Sequence, residues 1–197
     1  MLLKELTHIS VGYPFRGSIP EVAGGDVCVI QMKDVSPDGI NWNGCIKTEL
    51  KGKRAPGWLQ EGDILFTARG SRNYAALVDQ QANQKPIVAA PHFYVLSCAR
   101  QDVLPEYLAW FINQSPSQRY FQREAEGSLT KSIRRSVLES LPIVVPSLVK
   151  QHSIIKLAQT VSKERQVMQQ LINRGEKLMN AIANDLLQDT NINGITK

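Results

Sequence analysis

GSLTKSIRRSVLESLPIVVPSLVKQHSIIKLAQ, residues 127–159, holds the boundary on which the fold turns. A Gly-Ser turn leads into a short basic segment. A compact apolar run from Leu141 to Val145 follows, closed by Pro142 and Pro146, and reads as a last short strand. From Ser147 the pattern changes to helical periodicity. Ile154, Val161, Met168, Gly175 and Ile182 recur at heptad spacing, and Leu157, Leu171 and Leu178 fill most of the companion positions. The seam is imperfect, because Glu164 and Asp185 occupy companion positions and Gly175 leaves a gap. Ile172, Met179 and Leu186 widen the stripe into a second ridge, which suits packing among more than two helices. Residues 147–189 are therefore expected to form one long helix, with 190–197 a frayed polar tail. At 1.5 Å per residue, roughly 40 residues span about 60 Å, more than the diameter of a domain this size. The expectation is a helix that seeks a partner, and the alternative is one folded back on its own domain.

Working outward, residues 1–146 read as a mixed α+β domain with strands concentrated early. Val27–Val35 (VCVIQMKDV) is rich in apolar and β-branched residues, and Asp38-Gly39 in the following SPDGINWNG marks a hairpin. Leu59–Thr67 (LQEGDILFT) couples a Gly-Asp turn to a buried strand. Tyr74–Val78 and Ile87–Leu96 are further strands, the latter interrupted at Pro91. Pro105 opens one helix, PEYLAWFINQ, and Ser115-Pro116 starts a second that stops at Gly127.

At 197 residues with 43% hydrophobic side chains, the chain has enough apolar material for a real core and too much for a disordered polymer. No apolar run approaches the roughly 20 residues that span a bilayer. Lys4, Glu5 and His8 interrupt the first apolar positions, so the N-terminus does not read as a signal peptide. Cys28, Cys45 and Cys98 are odd in number and widely spaced, which suits neither a disulfide framework nor a zinc site. A cytoplasmic location without membrane contact is expected. Net charge is +5, and it divides evenly: residues 1–146 carry 16 basic and 14 acidic side chains, residues 147–197 carry 7 and 4. Binding to a polyanion must then come from local clusters on a nearly balanced body.

Three clusters qualify. Lys51, Lys53 and Arg54 lie in the loop KGKRAPG, which follows an expected strand. Arg69, Ser71, Arg72 and Asn73, with Tyr74 beside them, lie in the turn after the Asp63–Thr67 strand. Lys131, Arg134 and Arg135 lie next to the helix root. Cations suit phosphates, while Arg and Asn are the usual readers of guanine and adenine edges. The plain alternative for any one of them is a solvated loop residue. Catalytic signals are poor. His8, His92 and His152 are scattered without a nucleophile motif, and His92 in APHFYV reads as a structural strand residue. No phosphate-binding GxxxxGK[ST] loop is present. Pro37-Asp38, Glu49 and Lys51 match the loose PD…ExK spacing of metal-dependent nucleases, but that pattern is degenerate, and a PDG turn already accounts for Asp38.

Taken in order, the pieces resemble the specificity subunit of type I restriction–modification enzymes over almost the whole chain. GYPFRGSI at 12–19 is similar to the family's opening loop. Gly62-Asp63-Ile64-Leu65-Phe66 through Arg69-Gly70-Ser71 resembles its "GDIL…RGS" segment, and Pro105–Ile112 its "P-x-Y-L" helix. Leu141-Pro142, Val145-Pro146 and Gln151 follow the signature ending in "lPpl…EQ…I", with Lys150 where the family usually has Glu. The resemblance implies a non-catalytic module that reads one half of a split double-stranded DNA target. It also implies methyltransferase (modification) and restriction subunits as partners, with S-adenosylmethionine held by the methyltransferase and no metal or cofactor on this chain. Full-length members have two recognition domains and two such helices, and this sequence has one of each. The expectation is either a half-length subunit that pairs, with itself as a homodimer or with another specificity chain, through Ile154, Leu157, Val161, Met168, Leu171, Ile172, Leu178, Met179, Ile182 and Leu186, or a truncated one, the nuclease and a generic interaction protein being the rivals.

Overall fold

Ile64–Thr67 (β6) is a run of four buried residues, and its two faces serve two different cores. In the computed structural model, which describes residues 1–50, 55–70, 73–125 and 132–193, with side chains to Leu187, β6 lies inside a four-stranded antiparallel sheet. The order is β1 (Thr7–Val11), β9 (Phe93–Cys98), β6, β7 (Ala75–Leu77). Leu65, Ala76, Phe93 and Val95 point into one core; Ile64, Phe66, Ala75 and Leu96 belong to the other. Alternation at period two sends neighbouring residues to opposite faces, so a strand covered on both sides is apolar at successive positions, here Ile64, Leu65 and Phe66. Burying a side chain such as Phe66 or Phe93 contributes about 1.5–3 kcal/mol.

Over the first face lies a second sheet, ordered β5 (Ile46–Thr48), β2 (Val27–Ile30), β8 (Ile87–Ala89), with β2 antiparallel to β5 and parallel to β8. The expected strand Val27–Val35 ends at Ile30. The Asp34 carboxylate accepts the Gln31 N–H at 2.9 Å, and the Asp34 N–H returns to the Gln31 carbonyl at 2.9 Å. That reciprocal pair winds Met32–Asp34 into a 3₁₀ turn in place of a ladder. The chain then makes the expected hairpin, β3 (Val35–Ser36) against β4 (Gly39–Ile40), with Gly39 at φ +133° where a side chain is disfavoured. Ile87–Leu96 divides at Pro91 as expected, into strands of different sheets. His92 lies exposed in the intervening turn, which corrects its reading as a strand residue.

Helices α1 (Pro105–Ile112) and α2 (Ser115–Glu124) cover the other face, where Phe121 meets Phe66 with ring centroids 5.0 Å apart. Both begin with proline in the first turn, where the missing N–H costs nothing. Strand β7 is a sheet edge, and Asn113 closes it. Its Oδ1 accepts the Ala75 N–H and its Nδ2 donates to the Ala75 carbonyl, both at 2.8 Å, as a neighbouring strand would.

Strand β1 and the short helix α3 (Arg135–Glu139) were absent from the sequence expectation, while β5 is the strand expected before the KGKRAPG loop. Leu141–Val145 is extended but is not a strand. Its pairing with the N-terminus reduces to one bridge, Leu2 to Pro142, flanked by Leu3 N–H to Leu141 O (3.0 Å) and Ile143 N–H to Met1 O (2.8 Å). Pro142 has no N–H to extend the ladder. Helix α4 (Leu148–Asn193) then starts, and its first two turns belong to the unit formed by Met1–Ile155. From Lys156 the chain forms a second unit, purely helical among the described residues. No helix among the described residues is long and apolar enough to cross a membrane.

Candidate nucleic-acid interface

The strand register brings four chain segments to one end of the central sheet. Val11 stands opposite Tyr94, Thr67 opposite Phe93, and Phe66 opposite Ala75. That end therefore carries the chain leaving β1, the turn entering β9, and both sides of the β6–β7 connection. Backbone bonds tie them together. Gly12 N–H reaches Phe93 O (3.1 Å), Tyr13 N–H reaches Ala89 O (2.8 Å), and Ala68 N–H reaches His92 O (3.0 Å). A further segment joins when Ile133 N–H bonds Ala68 O at 2.9 Å and Arg69 bridges to Ser132. Arg69 and the pair Arg134, Arg135, sixty-odd residues apart in sequence, are thus neighbours in the fold.

Charge separates along the strand direction. At this end, residues 12–16, 68–70, 73–74, 90–92 and 132–135 contain Arg16, Arg69, Arg134 and Arg135, against one carboxylate, Glu139, which pairs with Arg135 from one helical turn on. The opposite end, residues 2–6, 60–63, 78–80 and 99–102, holds Glu5, Glu61, Asp63, Asp79 and Asp102 against Lys4 and Arg100. A body with nearly balanced total charge therefore presents a cationic end, which concentrates a polyanion there.

Individual residues differ in what they can offer. Arg69 is exposed and has no ion pair among the described residues. Arg134 is exposed at the N-terminal boundary of α3. Arg135, also exposed, binds Glu139 at 2.7 Å one turn along the helix. Two of the expected DNA-contact residues have their side chains engaged within the fold. Asn73 is only 6% exposed, and its Nδ2 donates to the Thr67 carbonyl at 2.8 Å, so its amide closes the β6–β7 turn. Tyr74 is half-buried and donates its hydroxyl to the Val35 carbonyl at 2.6 Å; burial pushes its phenol pKa up. Both stabilise the platform that carries Arg69. Lys51, Lys53, Arg54, Ser71, Arg72 and Lys131 lie outside the described residues.

The nuclease pattern finds no assembled centre. Asp38 occupies the β3–β4 turn with its backbone N–H on Ser36 Oγ at 3.2 Å, and Glu49 follows β5. Lys51 lies outside the described residues, and among those described no three His, Cys, Asp or Glu side chains come together to hold a metal ion.

In the helix, Ile154 is partly buried, within the first unit. Leu157, Val161, Met168, Leu171, Ile172, Leu178, Met179, Ile182 and Leu186 are all exposed, from 45% at Val161 to 66% at Leu157. An exposed apolar stripe of this extent is a protein-contact surface in waiting. Val167 and Leu187, exposed as well, were not among the residues expected on the stripe.

Sequence reading missed what Gln151 does. The residue is fully buried. Its Oε1 accepts the Leu104 N–H at 2.9 Å, while Nε2 donates to the carbonyls of Asp102 and Pro146, both at 2.8 Å. Lys150, which departs from the family pattern, is exposed.

The described residues thus present a basic sheet end, a clasped helix root and an exposed apolar stripe on α4. The sequence matches the family model described as the type I restriction modification DNA specificity domain over residues 3–176. The chain belongs to that family. Its fold is similar to that of the S subunit of a type I restriction–modification system from M. genitalium, with TM-score 0.58 and 15% identity over 90% of this chain and 42% of that one. It is similar too to the HsdS subunit from Thermoanaerobacter tengcongensis, with TM-score 0.60 and 15% identity over 90% of this chain and 45% of that one. A chain from a study of complex assembly and conformational transition in the type I system gives TM-score 0.59 and 15% identity, covering 86% of this chain and 43% of that one. The chain spans less than half the length of each of these structures. No curated protein sequence matches it.

Proposed function

We propose that this chain is a non-catalytic DNA-reading module that recognises one half of a bipartite target through the cationic end of its central sheet. The observation that carries the reading is the charge division along that sheet, with Arg69, Arg134 and Arg135 drawn together from distant parts of the sequence. Phosphate contacts from these cations supply a salt-dependent affinity, and base contacts from the adjoining loops supply selectivity. The apolar seam of α4 pairs with a second copy, which presents two reading domains to the two halves of one site. Adenine methyltransferase and restriction subunits complete the assembly, and the methyltransferase binds S-adenosylmethionine.

Binding of the full chain to a random-sequence duplex, measured from about 50 to 200 mM salt, tests the reading. A steep fall in affinity with salt is expected, with the log–log slope reduced by about one in Arg69→Ala because one phosphate contact is lost. Salt-independent or absent binding by the wild-type chain would remove the proposal.

A further inference from the structure

We infer that Arg16 is a phosphate-contacting residue of this same surface, an assignment that rests on the DNA-reading function proposed above. The loop that carries it is built as a support. Gly12 N–H to Phe93 O (3.1 Å) and Tyr13 N–H to Ala89 O (2.8 Å) fasten residues 12–13 to the two sides of the β8–β9 turn. Gly12 is there because nothing larger fits: a Cβ at this position would overlap the Ala90 carbonyl oxygen. Tyr13 is buried in the core, and Phe15 packs on it with ring centroids 5.0 Å apart at 62°. A short backbone bond, Phe15 N–H to Tyr13 O at 3.0 Å, tightens the loop between them.

Arg16 follows at once. It is exposed, and among the described residues it has no ion pair, unlike Arg135 with Glu139 or Arg100 with Asp102. The β8–β9 turn that anchors this loop also supplies His92 O to Ala68 N–H, one residue before Arg69. Arg16 and Arg69 are thus mounted on opposite sides of one hydrogen-bonded turn. An arginine whose preceding backbone is anchored by a packed ring pair loses less backbone freedom on meeting a phosphate than one on an unanchored loop. Among the described residues it also has no carboxylate partner to leave. A hydrated surface cation would satisfy exposure alone; the shared anchor with Arg69 is what aligns it with the proposed duplex path.

The test uses the full chain and a random-sequence duplex across the same salt range. Arg16→Ala is expected to lower the slope of log affinity against log salt by about 0.9. Arg16→Gln should do the same with the side-chain stem preserved, and Arg16→Lys should keep the wild-type slope. Lys4→Ala, at the opposite sheet end, should leave it unchanged. Thermal melting and oligomeric state should match wild type in every variant. A wild-type slope in both Arg16→Ala and Arg16→Gln, with Arg69→Ala lowering it, would overturn the assignment while leaving the DNA-reading function standing. A flat slope in the wild-type chain would remove both.

Discussion

Gln151 shows how one side chain acquires meaning from its surroundings. In sequence it is one polar residue at the start of a helix, recognisable only through its place in a family-like signature. In the fold its single amide satisfies one backbone N–H and two carbonyls from three places, Leu104, Asp102 and Pro146. A fully buried amide used to nearly its full capacity tolerates few replacements. Gln151→Leu has similar bulk but leaves all three backbone groups without their partner, so a loss of about 2–4 kcal/mol is expected. Chemical denaturation of the purified variant checks this, and a change below about 0.5 kcal/mol would show that water replaces the amide. Gln151→Glu should be no better, since a carboxylate cannot donate to the carbonyls of Asp102 and Pro146. Asn73 teaches the converse lesson. Its residue type suited a base reader, but proximity to Thr67 decided its use, and no sequence pattern signals that a loop amide will turn inward.

At the scale of elements, periodicity was a good guide for helices of two turns or more, which satisfy their own hydrogen bonds. Helices α1, α2 and α4 were all legible, because proline starts and a 3.6-residue repeat are local properties. Strand β1 was not. It is short, and it is a strand only because β9 lies beside it. The same dependence shortened Val27–Val35, where Asp34 captured the Gln31 N–H, and reduced Leu141–Val145 to a single bridge. Helix α4 carries the element-scale prediction. Its seam residues Leu171 and Leu178 are 61% and 62% exposed, an arrangement that association would relieve. Leu171→Glu should shift the chain toward monomer in sedimentation while leaving the melting of the Met1–Ile155 unit unchanged. A wild-type chain that remains monomeric at high concentration would exclude the proposed pairing.

For the whole molecule, the decisive property is where charge is placed, which composition conceals. A sum of 16 basic and 14 acidic residues in 1–146 predicts weak attraction to DNA, but antiparallel register sorts many of those charges to opposite ends of one sheet. The acidic end should then be indifferent to DNA. Glu61→Gln, which keeps a hydrogen-bonding amide near Asn83, is expected to leave duplex affinity within about twofold of wild type, against the loss expected of Arg69→Ala. An equal effect from both would mean that net charge, not the cationic end, drives binding; fluorescence anisotropy distinguishes the two. By itself the sequence determined the α+β class, the long C-terminal helix with its apolar seam, and the family, because these rest on local periodicity and on the order of short motifs. Only the tertiary structure decided that Arg69 stands beside Arg134 and Arg135, that Asn73 is spent on its own turn, and that Gln151 fastens the helix root. Those facts depend on strand register and on contacts between residues far apart in the chain, which local patterns do not encode.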